Sequence, residues 1–460
     1  MNESGEIGRM RSRAHSRLPR CQSNMSLPAR ISRALLFLFC CVSGAFAETP
    51  SDVYFTLAVT KSPAVYHLGE RIVCKLSFST TTPGKYGIDS AGPLKGSRGS
   101  VPEIFVAIPK DGAADPYVDL SRQLGFGFGG DIPSSYNKLS SQPYVVRTDL
   151  NPWLRFVRPG VYRLVAQSSR VSLFTDHPSP TGADAVVVTS NEVTVTVLPA
   201  DPAWIGNEVS DIKKLLDSPL SSADQKTIAA SRLRYLNTES STAEMVRLLS
   251  ETVGESYHSV FFEGLLESSW RKTAIEMLQQ TIHGPATRVS FDAVDLLTKL
   301  TLLAEYENRP IPLYDTKNPE QLRALRAAIQ ERQDRYVAVM AKYTAELKAS
   351  LPRRTGRART DAVFALWKEQ ELHSQGAPTE LLTAMRGEIV AVADGLTPDQ
   401  QVWLLVIYWQ RLPNRQRLLP LVKRLALSSQ PIQPNWIAGD LRKTALAHWC
   451  ELDAAGCQDR

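Results

Sequence analysis

The stretch "LNPWLRFVRPGVYRLVAQSS", residues 150–169, decides how the first half of the chain is read. It sets Trp153, Phe156 and three arginines (Arg155, Arg158 and Arg163) around Pro159-Gly160, and then alternates Tyr162, Leu164 and Ala166. A Pro-Gly pair separates two segments, and apolar residues at every second position have the period of a strand with one buried face. Two readings compete: a basic patch for an acidic partner, or a corner between two strands.

The same period runs outward on both sides. It recurs at Val53, Phe55, Leu57 and Val59; at Ile72, Cys74, Leu76 and Phe78; and at Ile104, Val106 and Ile108. It returns at Tyr144, Val146 and Thr148 and at Val193, Val195 and Val197. Short alternating segments without an intervening helical pattern predict an antiparallel β-sandwich of immunoglobulin-like type over residues 48–200. Tyr162, just after Pro159-Gly160, is placed like the tyrosine corner of such folds. Its hydroxyl is expected to bond to backbone a few residues upstream, with Trp153 or Phe156 covering the end of the core. The three arginines are then outward charges. Loops are expected at 81–101, 110–141 and 168–190. In the second, Gly125, Gly127, Gly129 and Gly130 lack the helix and the Gly-Lys-Ser/Thr that a phosphate-cradling loop requires.

After residue 200 the spacing becomes helical. Asp201-Pro202, Ser222-Ala-Asp-Gln225, Ser241-Thr-Ala-Glu244, Asn318-Pro-Glu-Gln321 and Thr397-Pro-Asp-Gln400 carry the side chains that cap helix starts. The longest helix is expected from Pro319 to about Ser350, buried along Leu322, Leu325, Ile329, Tyr336, Met340, Tyr343 and Leu347. "WRKTAIEML" at 270–278 echoes "LRKTALAHW" at 441–449. Successive apolar helices with such an echo predict an irregular α-solenoid of HEAT-like repeats over residues 201–460.

Residues 1–47 read as a signal peptide with an extended polar front. "ALLFLFCCVSGAFA" at 34–47 is apolar, follows Arg30 and Arg33, and ends in Ala45-Phe46-Ala47. Cleavage near Ala47 would deliver the chain to the periplasm or outside the cell. The residues before Cys40 and Cys41 are not the small ones of a lipidation site. Removing this leader takes out seven arginines and two glutamates and lowers the net charge from +6 to +1. The basic balance therefore belongs to the leader and gives no support to nucleic-acid binding. No later stretch approaches the length of a transmembrane helix. Of the cysteines left, Cys74 sits on the apolar face of a strand as a buried small hydrophobe, and Cys450 and Cys457 are close enough in sequence to pair.

The whole of residues 48–460 resembles a group of uncharacterised exported bacterial proteins that join an immunoglobulin-like sandwich to HEAT-like helices. "YHLGE" at 66–70, residues 150–164, "SNEVTVTVLPADPAW" at 190–204 and "LPRRTGRA" at 351–358 carry the resemblance. It implies architecture and export, and transfers no catalytic residue.

Motifs of chemistry are few. His-Glu-x-x-His, Cys-x-x-Cys, acidic calcium loops and Gly-x-Ser-x-Gly are absent, so no metal or cofactor is expected and no catalytic residue is assigned. Ser135-Tyr-Asn-Lys138 and Ser210-Asp-Ile-Lys213 match Ser-x-x-Lys without its companion elements. Two features remain as binding candidates. Arg353, Arg354, Arg357 and Arg359 stand at a helix entrance, where cations oppose the helix dipole; the plainer reading is a solvated basic turn with internal carboxylate partners. "VWLLVIYW" at 402–409 is apolar all round, an interior helix unless Trp403 and Trp409 line a peptide groove. The expected function is a non-catalytic extracytoplasmic binding or scaffold protein, its helical surface engaging a protein of the envelope or extracellular space. The alternative is a cell-envelope hydrolase with a dispersed site between the domains.

Overall fold

The computed structural model describes residues 50–90, 103–124, 136–174, 185–252, 255, 257–312, 318–373, 379–432 and 440–458. The segment 1–47 expected to be a signal peptide, the glycine run at 125–130 and Ser135 lie outside them.

Each alternating segment forms a strand. In chain order these are β1 (Val53–Val59), β2 (Val65–His67), β3 (Val73–Thr80), β4 (Tyr86–Asp89), β5 (Glu103–Ile108) and β6 (Ala113–Ala114). After a helix, α1 (Pro116–Leu124), come β7 (Tyr136–Lys138), β8 (Tyr144–Asp149), β9 (Arg155–Phe156), β10 (Gly160–Leu173), β11 (Ala185–Thr189) and β12 (Val193–Leu198). One sheet has the order β1-β3-β8. The larger has the order β2-β12-β10-β4-β7, with β5 and β11 also pairing to β10. Phe55, Leu57, Cys74, Leu76 and Phe78 of the first sheet share a core with Ile88, Leu164, Ala166, Val195 and Val197 of the second. The alternation in the sequence is thus the alternation of buried and exposed faces.

Three expectations change here. The ladders are antiparallel except β2 with β12, which is parallel. The supposed loops hold β4, β7, β11 and α1, and β10 runs on to Leu173. Helix α1 starts as Asp201-Pro202 does: the Asp115 carboxylate accepts the Tyr117 N–H at 2.9 Å, with Pro116 between. Its Leu120 and Leu124 join the core of the helices rather than that of the sheets.

The strands end at Leu198 and the helical run begins at Pro202. The helices are α2 (Pro202–Asp217), α3 (Ala223–Leu236), α4 (Glu239–Glu251), α5 (His258–Leu266), α6 (Arg271–His283), α7 (Phe291–Glu305) and α8 (Pro319–Ser350). They continue with α9 (Gly356–His373), α10 (Glu380–Ala391), α11 (Pro398–Val402), α12 (Leu419–Ala426), α13 (Leu441–Leu452) and α14 (Ala454–Gln458). Asp201, Ser222, Asn318 and Thr397 cap as expected, two of them in capping boxes. Ser241 does not: Thr238 is the cap and Ser241 its partner in the box, so α4 starts earlier. Packing runs along the chain, α4 against α5 and α6, α6 against α7 and α8, and α7 against α8 and α9. The two regions pack as one compact unit from Thr49 to Arg460. No described helix is long and apolar enough to cross a membrane.

In the long helix α8 the expected stripe is fully buried only at its C-terminal end, at Met340, Tyr343 and Leu347. Nearer its start, Arg332 is buried and holds the end of α1, donating to Gln123 O at 2.8 Å. Cys74 is a buried thiol, pushed up to about 12 by burial and then by Asp149. Cys450 and Cys457 form a disulfide.

Candidate functional site

A cleft of about 540 Å³ opens where the β region meets the helices. The β2–β3 turn, the segment after β8 and the start of α1 form one wall, and the ends of α3 and α5 with the start of α6 form the other. Gly69 makes the close approach possible. It has φ +85, and a Cβ there would sit 3.0 Å from Leu236 O. Beside it, His67 stacks on Trp204 of α2 with ring centroids 4.6 Å apart.

Buried charges bind the two walls. Arg155 donates to Glu267 O at 2.7 Å and to Glu267 Oε2 at 3.1 Å. Arg234 of α3 donates to the same carboxylate, Nη2 to Oε1 at 2.7 Å and Nε to Oε2 at 3.1 Å, and also reaches Glu263. Burial works against the Arg234 charge, but Glu267 and Glu263 outweigh it and raise its pKa. Burial lowers the pKa of Arg155, with Glu267 opposing. Next to this group, Asp149 at the end of β8 accepts from Arg71 Nε at 2.9 Å and from the Tyr235 hydroxyl at 3.1 Å. Burial raises the pKa of that phenol; the Arg234 charge opposes the rise, and Asp149 and Glu267 add to it.

Several of the polar groups lining the cleft are engaged with one another or with neighbours just behind the lining. Asn151 accepts from Ile72 N and donates to Glu70 O, at 2.8 and 2.9 Å. Ser268 bonds to Thr242 at 2.7 Å, and Asn237 to Ser269 at 2.9 Å. His67 Nδ1 lies 3.4 Å from Glu70 and is held on the β side, away from these hydroxyls in the contacts it makes. A serine needs a base in hydrogen-bond reach to act as a nucleophile, and Ser268 and Ser269 have none among the described residues. No group of His, Cys, Asp or Glu able to hold a metal gathers among the described residues. Ser210 is exposed on α2, and Lys213 pairs with Glu244 at 3.5 Å instead.

The corner residues stand as the sequence predicts. The Tyr162 hydroxyl donates to Arg158 O at 2.7 Å. Trp153 and Phe156 are buried, Phe156 against the Tyr162 ring, and Gly160 opens β10. Of the three arginines, Arg158 and Arg163 are exposed and pair with Asp111 and Glu192. Arg155 is not an outward charge. It turns inward because a second region packs on the corner and brings Glu267 to it.

The arginine run splits. Arg354 is buried, donating to Ser350 Oγ and to the carbonyl oxygens of Thr281, Ile282 and Thr287, so it closes the C-terminal end of α6. Arg357 reaches Gly395 O and pairs with Asp361 at 3.2 Å, and Arg359 pairs with Glu388 at 2.7 Å. Arg353 is exposed. These four do not form one anion pocket.

Nor do the tryptophans share a groove. Trp409 is 2% exposed, donates to Glu451 at 2.8 Å and stacks on His448. Trp403 is half-buried and stacks with Tyr408. The expected interior helix breaks here: Tyr408 N bonds to Trp403 O at 3.0 Å, a π turn over Trp403–Ile407. The wider turn leaves Val406 and Ile407 46% and 44% exposed.

Arg234, Glu267, Asp149 and Tyr235 escape sequence reasoning because no short spacing links them. A faint signal exists, in that arginines and glutamates stand beside apolar core positions of α3 and α5.

No protein-family model matches the chain, and no curated protein does. Among solved structures, the C-terminal part of native alpha-2-macroglobulin from Escherichia coli, from domain MG7 onward, aligns over 88% of this chain at 14% identity. The alignment spans 60% of that protein's chain, and its TM-score of 0.18 carries no argument about fold or function.

Proposed function

We propose that the chain is a non-catalytic extracytoplasmic binding or scaffold protein. An immunoglobulin-like sandwich holds a HEAT-like helical array, and the array's surface engages a protein of the cell envelope or extracellular space. One observation carries this reading. At the cleft between the regions, where a dispersed active site would lie, Arg155, Arg234 and Glu267 are spent on joining the walls, both arginines sharing the one carboxylate. Groups held in that way fix a geometry, which supports a bracing role for them. The packing of α3, α4, α5, α6 and α7 each on the next helix and the next but one supports an extended array, which presents surface without disturbing its core. Export rests on the apolar run before Ala47.

The test is in-cell crosslinking followed by purification from the envelope fraction. A protein partner should be recovered with crosslinks mapping to α2–α13. Recovery of none above background, together with turnover of an envelope polymer by the purified chain, would overturn the proposal in favour of a hydrolase.

A further inference from the structure

The sheet β1-β3-β8 turns one face to the core and the other away from it. On the outward face, Lys75 of β3 and Arg147 of β8 are direct partners in the ladder. Side chains so placed stand about 5 Å apart at Cβ, and like charges there repel. Both residues are exposed, and among the described residues neither makes a hydrogen bond or an ion pair. The three strands hold one carboxylate, Asp149, and it is taken by Arg71 at 2.8 Å and the Tyr235 hydroxyl at 3.1 Å. Arg158 and Arg163, exposed elsewhere on the sandwich, have Asp111 and Glu192 beside them.

The rest of the outward face is uncharged. Ala58 lies across from Lys75, the next row is Thr56, Ser77 and Val145, and Tyr54 follows opposite Ser79. Tyr54 is 52% exposed. Its row is four residues along β3 from Lys75, about 14 Å at the rise of a strand.

An anion set between the two cations relieves their repulsion and gains both attractions. Aromatic rings pack on the C–H-bearing faces of sugar rings, whose hydrogens meet the negative π face. The hydroxyls of Thr56 and Ser77 both donate and accept. Peptide partners are held chiefly by apolar anchors seated in pockets, and lipid surfaces by larger basic clusters. Two cations, two hydroxyls and one aromatic ring along an open sheet fit a chain of sugars that carries negative charge.

We propose that this face binds an anionic polysaccharide, with Lys75 and Arg147 sharing one anionic group and Tyr54 stacking on a ring further along the polymer. The site lies on the β region alone, so it stands or falls separately from the scaffold reading of the helices.

The experiment titrates the full chain with polygalacturonate, which carries a carboxylate on each ring, by calorimetry at low ionic strength. Binding should weaken as salt is added. Lys75→Gln and Arg147→Gln should each weaken it about fivefold, the scale of one exposed ion pair. Tyr54→Ala should weaken it too, and Arg163→Gln, on the other sheet, should leave it unchanged. Lys75→Gln and Arg147→Gln should melt no lower than the unaltered chain, since each removes one member of a like-charge pair. No binding of polygalacturonate, or binding that both glutamine variants leave intact, would overturn the proposal. Polyglutamate bound as tightly as polygalacturonate would show that charge alone is read, and would overturn the assignment to a polysaccharide.

Discussion

Arg155 of β9 and Glu267 at the end of α5 are joined by two hydrogen bonds, one to the carboxylate and one to the backbone oxygen. Their side chains are 14% and 4% exposed. The corner of the β region is therefore also the clamp on the helices. Replacing Arg155 by Met leaves Glu267 buried with only Arg234 opposite. Breaking a buried pair in this way costs about 3 kcal/mol. Urea unfolding should show that loss for Arg155→Met, whereas Arg158→Ala, which removes an exposed pair, should change stability by no more than about 0.5 kcal/mol.

The arginine run yields a contrast between neighbours. Arg354→Met strands the carbonyl oxygens of Thr281, Ile282 and Thr287 without a charged donor. Unsatisfied buried acceptors of this kind cost about 1–3 kcal/mol each, so a large fall in the unfolding midpoint is expected. Arg353→Ala, at an exposed position, should stay within about 0.5 kcal/mol. Equal effects of the two changes would contradict the structural role given to Arg354.

At the corner, Tyr162→Phe removes the bond to Arg158 O and should destabilise by about 1 kcal/mol with the fold retained. Gly112→Ala should be worse, because the new Cβ would lie 2.1 Å from the Tyr162 hydroxyl oxygen. The two sites touch, so the double variant should lose less than the sum of the singles, measured by denaturant titration in a double-mutant cycle.

Asp52 gives a pH dependence. Hydrogen bonds from Lys85 and then Tyr86 lower its pKa from 3.8 to about 2. A carboxyl whose folded pKa is depressed adds stability above its ordinary value, and that stability is lost as pH falls through the folded value. Melting temperature should thus decline for the native chain between pH 3.8 and about 2 more steeply than for Asp52→Asn. Parallel acid limbs would show that the Lys85 pair contributes nothing.

Much of the architecture could be read locally. The buried positions of β1, β3 and β10 follow the period of two, and Ser222 and Thr397 announce α3 and α11 through capping boxes. Helix α1 carried the same signal in Asp115-Pro116 but is short and lies between strands, so its period is too brief to stand out. The π turn at Trp403 was illegible, because an apolar run does not say how wide its turns are. The cleft was illegible for a different reason. Its walls come from β2–β3, α3, α5 and α6, and its key pair is separated by 112 residues.

By itself the sequence determined where strands give way to helices, where most helices begin, and that Tyr162 closes a corner. These depend on spacing within a few residues, where backbone geometry and capping act. Only the tertiary structure decided which charges are spent and which are left. Arg155 and Arg354 read as surface cations and became buried ties, while Lys75 and Arg147, far apart in the chain, came to stand opposite each other without a carboxylate partner among the described residues. The environment of a charge is set by groups distant in sequence, and desolvation together with the partners it meets there decides whether it stays at the surface or becomes a buried tie.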